Sequence, residues 1–115
     1  MIVTTTPYVT GYRVVEVKGQ VFGLVVRSRG VVGNIAAGLR SLVGGEIHEY
    51  TQLLEDTRRQ ALDRMVQNAT LMGANAVISM RFDSSELGTT MSEIVAYGTA
   101  VILAADPTGG QPLAE

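Results

Sequence analysis

One apolar stripe of helical period constrains this chain more than any other feature. Ile47, Tyr50, Leu54, Ala61, Leu62, Met65, Ala69 and Met72 recur at three- and four-residue steps, which at about 100° per residue gathers them on one side of a helix. The stretch carries its own punctuation. Gly44-Gly45 can break the preceding structure, Glu46 and Glu49 complement the positive start of a helix, and Gly73 suits the left-handed position past its end. At roughly 1.5 Å per residue such a helix is about 40 Å long. That is more stripe than a small core can cover, so part of it is expected to meet another subunit.

Arg58 interrupts the stripe one turn after Leu54, where an aliphatic side chain would be expected. Three readings are open. The arginine can pack its methylenes and lead the guanidinium to water, it can form a buried ion pair, or it can serve a catalytic site, which would also need acid, base or nucleophile partners. A charge is tolerated on an apolar face only when paired, hydrogen-bonded or led out to solvent. Glu93, which shares its strand face with Met91, Val95 and Val101, is the first expected partner and Glu46 the second.

The chain has 115 residues, enough for one domain that buries roughly two thirds of its unfolded surface. Nine basic residues stand against eleven acidic ones. Two of the acids, Asp106 and Glu115, lie in the tail, so nine face nine in the body. A balanced body argues against a nucleic-acid footprint and lacks the net charge that keeps small proteins apart. The chain has no cysteine, which excludes disulfides, thiolate metal sites and thiol chemistry. The N-terminus shows neither the basic start nor the apolar run of a signal peptide, and no run reaches the length of a membrane span. A cytoplasmic protein with no membrane or nucleic-acid partner is the expectation.

Residues 2–5 form a short β-prone run stopped by Pro7, and residues 12–27 form a longer, valine-rich one divided at Gly19-Gln20. A glycine inside a strand pattern marks a bend or bulge, leaving one curved strand or a hairpin. Asn34 can cap a short helix over residues 35–42, whose Gly33, Ala36, Ala37 and Gly38 leave room for another backbone or make a connecting segment. Residues 76–82 alternate as a strand and residues 83–88 read as a turn. Residues 91–103 form a last strand, apolar on both faces and therefore central or sandwiched between subunits. Residues 1–104 then make one α+β domain, an antiparallel sheet of about four strands packed with one short and one long helix. Residues 105–115, rich in proline and glycine, read as a disordered tail.

Chemistry-bearing motifs are sparse. Gly30-Val31-Val32-Gly33 has the outline of a nucleic-acid G-x-x-G loop without its basic surroundings. The phosphate-binding loop, the nucleophile elbow and the zincin helix are absent from the sequence. His48 is the one histidine, and one imidazole falls short of the several ligands zinc takes. It becomes a metal candidate if an oligomer gathers several copies around an axis.

Residues 41–47, 50–54, 58–65, 73–77 and 93–101, among them Gly44-Gly45-Glu46-Ile47, Gly73-Ala74-Asn75-Ala76-Val77 and Ala96-Tyr97-Gly98-Thr99, together resemble the YbjQ family over nearly the whole chain except the tail. The resemblance implies a small α+β subunit that assembles into a ring, a pentamer or paired pentamers, with a heavy-metal-binding label and no catalytic assignment. Glu46, Tyr50, Arg58 and Glu93 match the family pattern and form the expected polar cluster. The leading expectation is a non-enzymatic homo-oligomer that binds a metal ion or small ligand between subunits. The alternative is a small enzyme using Arg58 with Glu46 or Glu93 in a polar interface pocket.

Overall fold

The computed structural model describes residues 1–28, 48–88 and 91–108, with residues 48–50 as backbone only. Its elements are β1 (Ile2–Val3), β2 (Tyr12–Ser28), α1 (His48–Leu71), β3 (Ala76–Leu87) and β4 (Met91–Ala105). They form one four-stranded sheet in the order β1-β3-β4-β2, with α1 across one face. The expected short helix over residues 35–42 lies outside the described residues, as does the G-x-x-G loop.

The sheet is mixed rather than wholly antiparallel. β2 and β3 both pair antiparallel with β4, while β1 runs parallel to β3 through Ile2↔Ala76 and Val3↔Val77. Parallel neighbours need a crossover instead of a tight hairpin. The chain supplies one by crossing to β2 on the far edge and returning along α1. A two-residue strand carries no pattern from which its direction could be read.

Residues 12–28 are one strand of 17 residues, about 56 Å long at the usual rise. Two bulges bend it, between Val14 and Glu16 and between Val17 and Gly19. Gly19, at φ +125°, takes a backbone conformation that side-chain-bearing residues rarely adopt. Because a bulge inserts one residue, it resets which side chains face the helix. The Val17/Gly19 bulge thereby brings Val17 to the face of Phe22, Leu24 and Val26, away from α1, and the Val14/Glu16 bulge returns Val14 to that face. A third irregularity lies in β3 between Ile78 and Arg81, where Ser79 sits at φ +54°. β3 then continues to Leu87, so residues 83–87, expected to turn, are strand, and the turn falls at Gly88 with φ +66°.

The main core lies between α1 and the sheet. Ala61, Met65 and Ala69 are fully buried against Val21, Val25, Val77, Met80, Ala96 and Ala100. Small residues at the crossing allow close approach: a Cβ added to Gly23 would lie 2.2 Å from both the Ala61 carbonyl oxygen and the Met65 nitrogen. The buried row of α1 is therefore Thr57-Ala61-Met65-Ala69, at four-residue steps. Thr57 joins it by donating its hydroxyl to the Leu53 carbonyl, 2.8 Å away. A second, smaller core of Ala76, Val101 and Leu103 packs with Ile2, Val9 and Ile78 on the opposite face.

Two devices fix α1 against its surroundings. Arg64 donates to the Leu24 carbonyl at 2.6 Å and Asn68 to the Phe22 carbonyl at 2.8 Å, capping outward carbonyls of the edge strand. After α1, Gly73 at φ +84° ends the helix. Asn75 then clamps β4, its amide donating to the Leu103 carbonyl at 3.0 Å and its oxygen accepting the Leu103 N–H at 2.7 Å.

Candidate functional site

Toward its N-terminal end α1 passes beyond the tightly packed crossing and stands over the distal part of the β3–β4 hairpin. A cleft of about 760 Å³ lies there. Its floor follows from strand alternation. The positions that carry Val25, Ala96 and Met80 into the main core carry Arg27, Ile94, Phe82 and Ser84 one or two steps further along the same face. Ser92, beside Arg27 in the ladder, completes it. Leu54 and Arg58 of α1 overhang the floor.

Arg58 is not at the centre of the helix stripe. It lies one residue, about 100°, from the buried Thr57 row, is exposed, and holds its guanidinium carbon 5.4 Å from the centre of the Phe82 ring. A cation at that distance is attracted by the ring face, worth about 0.5–1 kcal/mol at an exposed site. The expected partnership with Glu93 does not form. Ile94 and Ala96 pack against the α1 core, so the period of two puts Glu93 on the other face of the sheet, opposite Val26 and Ser85. Of the expected polar cluster, Glu46 lies outside the described residues, and the side chains of Tyr50 and the metal candidate His48 lie outside them too.

The cleft contains residues that periodicity had not marked. Arg27 donates through Nη2 to the Gln60 side-chain oxygen at 3.0 Å, while its buried Nε has no hydrogen-bond partner among the described residues. Arg27 ends the valine-rich run of residues 12–27, at a position the sequence gives no functional role. A signal was nevertheless present, since it continues the 21, 23, 25 series of helix-facing positions. Ser84 and Ser92 likewise stand where that alternation would otherwise place aliphatic side chains.

Among the described residues no three His, Cys, Asp or Glu side chains gather into a ligand set, and the chain has no cysteine. A single subunit's described residues therefore do not fit a heavy-metal centre. Among them, too, no helix is long and apolar enough to cross a membrane.

Comparison with known proteins follows the fold closely. A UPF0145 protein of Bradyrhizobium sp. (strain ORS 278) is 70% identical over 103 residues, covering 90% of this chain and 93% of the relative. UPF0145 proteins of the archaea Sulfurisphaera tokodaii and Methanocella arvoryzae are 58% and 53% identical, covering 90% and 98% of this chain and 90% and 94% of theirs. A crystal structure of a protein with unknown function from Pediococcus pentosaceus, assigned to the DUF74 family, superposes with a TM-score of 0.58 over 90% of this chain and 98% of that one at 17% identity, a likeness of fold alone. The family model YbjQ_1, described as "Putative heavy-metal-binding", matches residues 1–104. With that match and these relatives, the chain belongs to the YbjQ (UPF0145) family.

Proposed function

We propose that this protein works as a non-enzymatic, cytoplasmic homo-oligomeric ring, a pentamer or decamer, that binds a metal ion or small ligand where subunits meet. The observation that carries the reading is the sheet face opposite α1. There Phe22 lies beside Tyr97 and Leu24 beside Val95 in the ladder, and Phe22, Val26 and Tyr97 are 54%, 45% and 42% exposed. With Val17, Leu24 and Met91, also exposed, they make a contiguous apolar strip of the kind that marks an interface.

A second copy of this chain is the proposed occupant of that strip, since exposed apolar side chains in a row along two paired strands match a self-association surface. A ring gives every subunit two neighbours through a heterologous contact that closes. Metal ligands, if the cargo is a metal, must then come from several subunits, with His48 copies the first candidates.

In the enzymatic reading, Arg58 with Glu46 or Glu93, the Glu93 pairing is disfavoured by the separation of the two residues onto opposite faces, and Glu46 lies outside the described residues. Native mass spectrometry of freshly purified protein tests the proposal by reporting subunit number and retained mass together. A ring carrying extra mass is the expected result. Sedimentation showing only monomer at micromolar concentration would refute the assembly, and nanomolar zinc binding that persists in His48→Ala would refute the ligand assignment.

A further inference from the structure

We infer that the cleft between α1 and the β3–β4 hairpin is a site for a small organic oxyanion, one carboxylate or phosphate head group on a short apolar body. The inference stands on residues of one subunit and does not require the ring. Among the described residues two guanidiniums, Arg27 and Arg58, line the cleft, and neither forms an ion pair with a described residue; the pairs of Arg13 with Asp106 and of Lys18 with Glu16 lie outside the cleft. Arg27 keeps a buried Nε–H without an acceptor among the described residues. Burying such a donor costs about 1–3 kcal/mol, a cost that an anionic oxygen in the cleft removes with a charge-assisted bond. The hydroxyls of Ser84 and Ser92 on the floor add donors beside it.

The rest of the lining sets the ligand's other end and its size. Phe82, Ile94 and Leu54 supply apolar wall, and the Phe82 ring, already under Arg58, offers a face for a flat group. Glu55, Asp83 and Glu86 also border the cleft. Asp83 alternates to the other face of β3, between Phe82 and Ser84, so among the described residues Glu55 and Glu86 are the carboxylates that balance the two guanidiniums, which disfavours a polyphosphate and favours a single head group held between the arginines. Asp83 is partly engaged already, accepting the Ser84 backbone N–H at 2.8 Å.

Titration of the full-length protein with benzoate and with phenyl phosphate, followed by amide and arginine side-chain NMR shifts, tests the site and separates the two head groups. Benzylamine, of the same size and opposite charge, is the control. Saturable shifts confined to residues 82–85, Ser92 and Arg27, in the millimolar range or tighter for at least one anion, are expected. Arg58→Gln and Arg27→Lys should each weaken binding about tenfold, the loss of one charge-assisted contact. Arg27→Lys keeps the charge and removes the Nε donor, so the fold survives and the geometry alone is tested. Absence of saturation by both anions, equal or tighter binding of benzylamine, or affinity unchanged in both variants would overturn the inference.

Discussion

Arg58 shows how much one residue's role depends on which way its neighbours turn. A charge within an apolar stripe suggested a buried pair, but the stripe's centre is Thr57, whose hydroxyl is satisfied within its own helix, and that rotates Arg58 to the flank over Phe82. Arg58 and Glu93 should therefore behave independently. A double-mutant cycle of Arg58→Met and Glu93→Gln, followed by urea denaturation, is expected to be additive within about 0.3–0.5 kcal/mol; a coupling well above that would restore the pair. Gly23 is the opposite case, a residue with no side chain that decides a contact. Its added Cβ would meet helix backbone at 2.2 Å on two atoms, and backbone cannot rotate aside. Gly23→Ala should cost at least the upper part of the usual overpacking range of about 1–3 kcal/mol, read as a lowered denaturation midpoint. A loss under half of that would mean α1 lifts off the sheet cheaply.

At the scale of elements, α1 is held by a narrow row. Ala61, Met65 and Ala69 are at 0% exposure while Leu54 is at 39% and Leu71 at 86%. Met65→Ala removes the largest buried side chain of that row and should destabilise by about 2–5 kcal/mol, whereas Leu71→Ala should change stability by no more than about 0.5 kcal/mol. Chemical denaturation of both variants separates a helix held along one row from one held all along its apolar residues. The bulges have a comparable effect on β2. Without them, Glu16 and Lys18 would share the outer face with Phe22 and Leu24; with them, Val17 does, and Val14 keeps that side because the second shift offsets the first. The edge of the same strand is partly closed by Arg64 and Asn68 on the Leu24 and Phe22 carbonyls, which blunts strand-to-strand pairing there and leaves the sheet face as the surface for association.

For the whole molecule, strands of 17 and 15 residues outrun the helix that covers part of one face, and the opposite face carries the exposed apolar strip. If the proposed ring forms through that strip, replacing Phe22 and Tyr97 together by aspartate should give monomers in sedimentation while the far-ultraviolet circular dichroism stays unchanged. Both side chains are exposed, so the subunit loses little core. A ring that survives the double change would place the interface elsewhere. Truncation after Ala105 tests the tail: fold and assembly should persist except for the contacts of Asp106 with Arg13 and the Gly11 carbonyl.

The sequence by itself determined where most local elements lie, although the end of β3 at Leu87 was missed. Helical spacing around Ala61, Met65 and Ala69 located α1, Gly73 marked its end, the valine alternation marked residues 12–27 as β without deciding between one curved strand and a hairpin, and the two apolar faces of residues 91–103 made β4 central. These follow from the 3.6- and 2-residue periods, which depend only on near neighbours. The tertiary structure alone decided which face of each element is covered. Period two put Glu93 opposite Ile94 in either case, but the side on which α1 lies made Glu93 outward and Arg27 inward. It also decided the parallel pairing of β1, since two residues carry no direction, and the cleft, whose lining comes from four elements. Contacts between elements far apart in the chain depend on bulge, crossover and close approach, and no local pattern records where those converge.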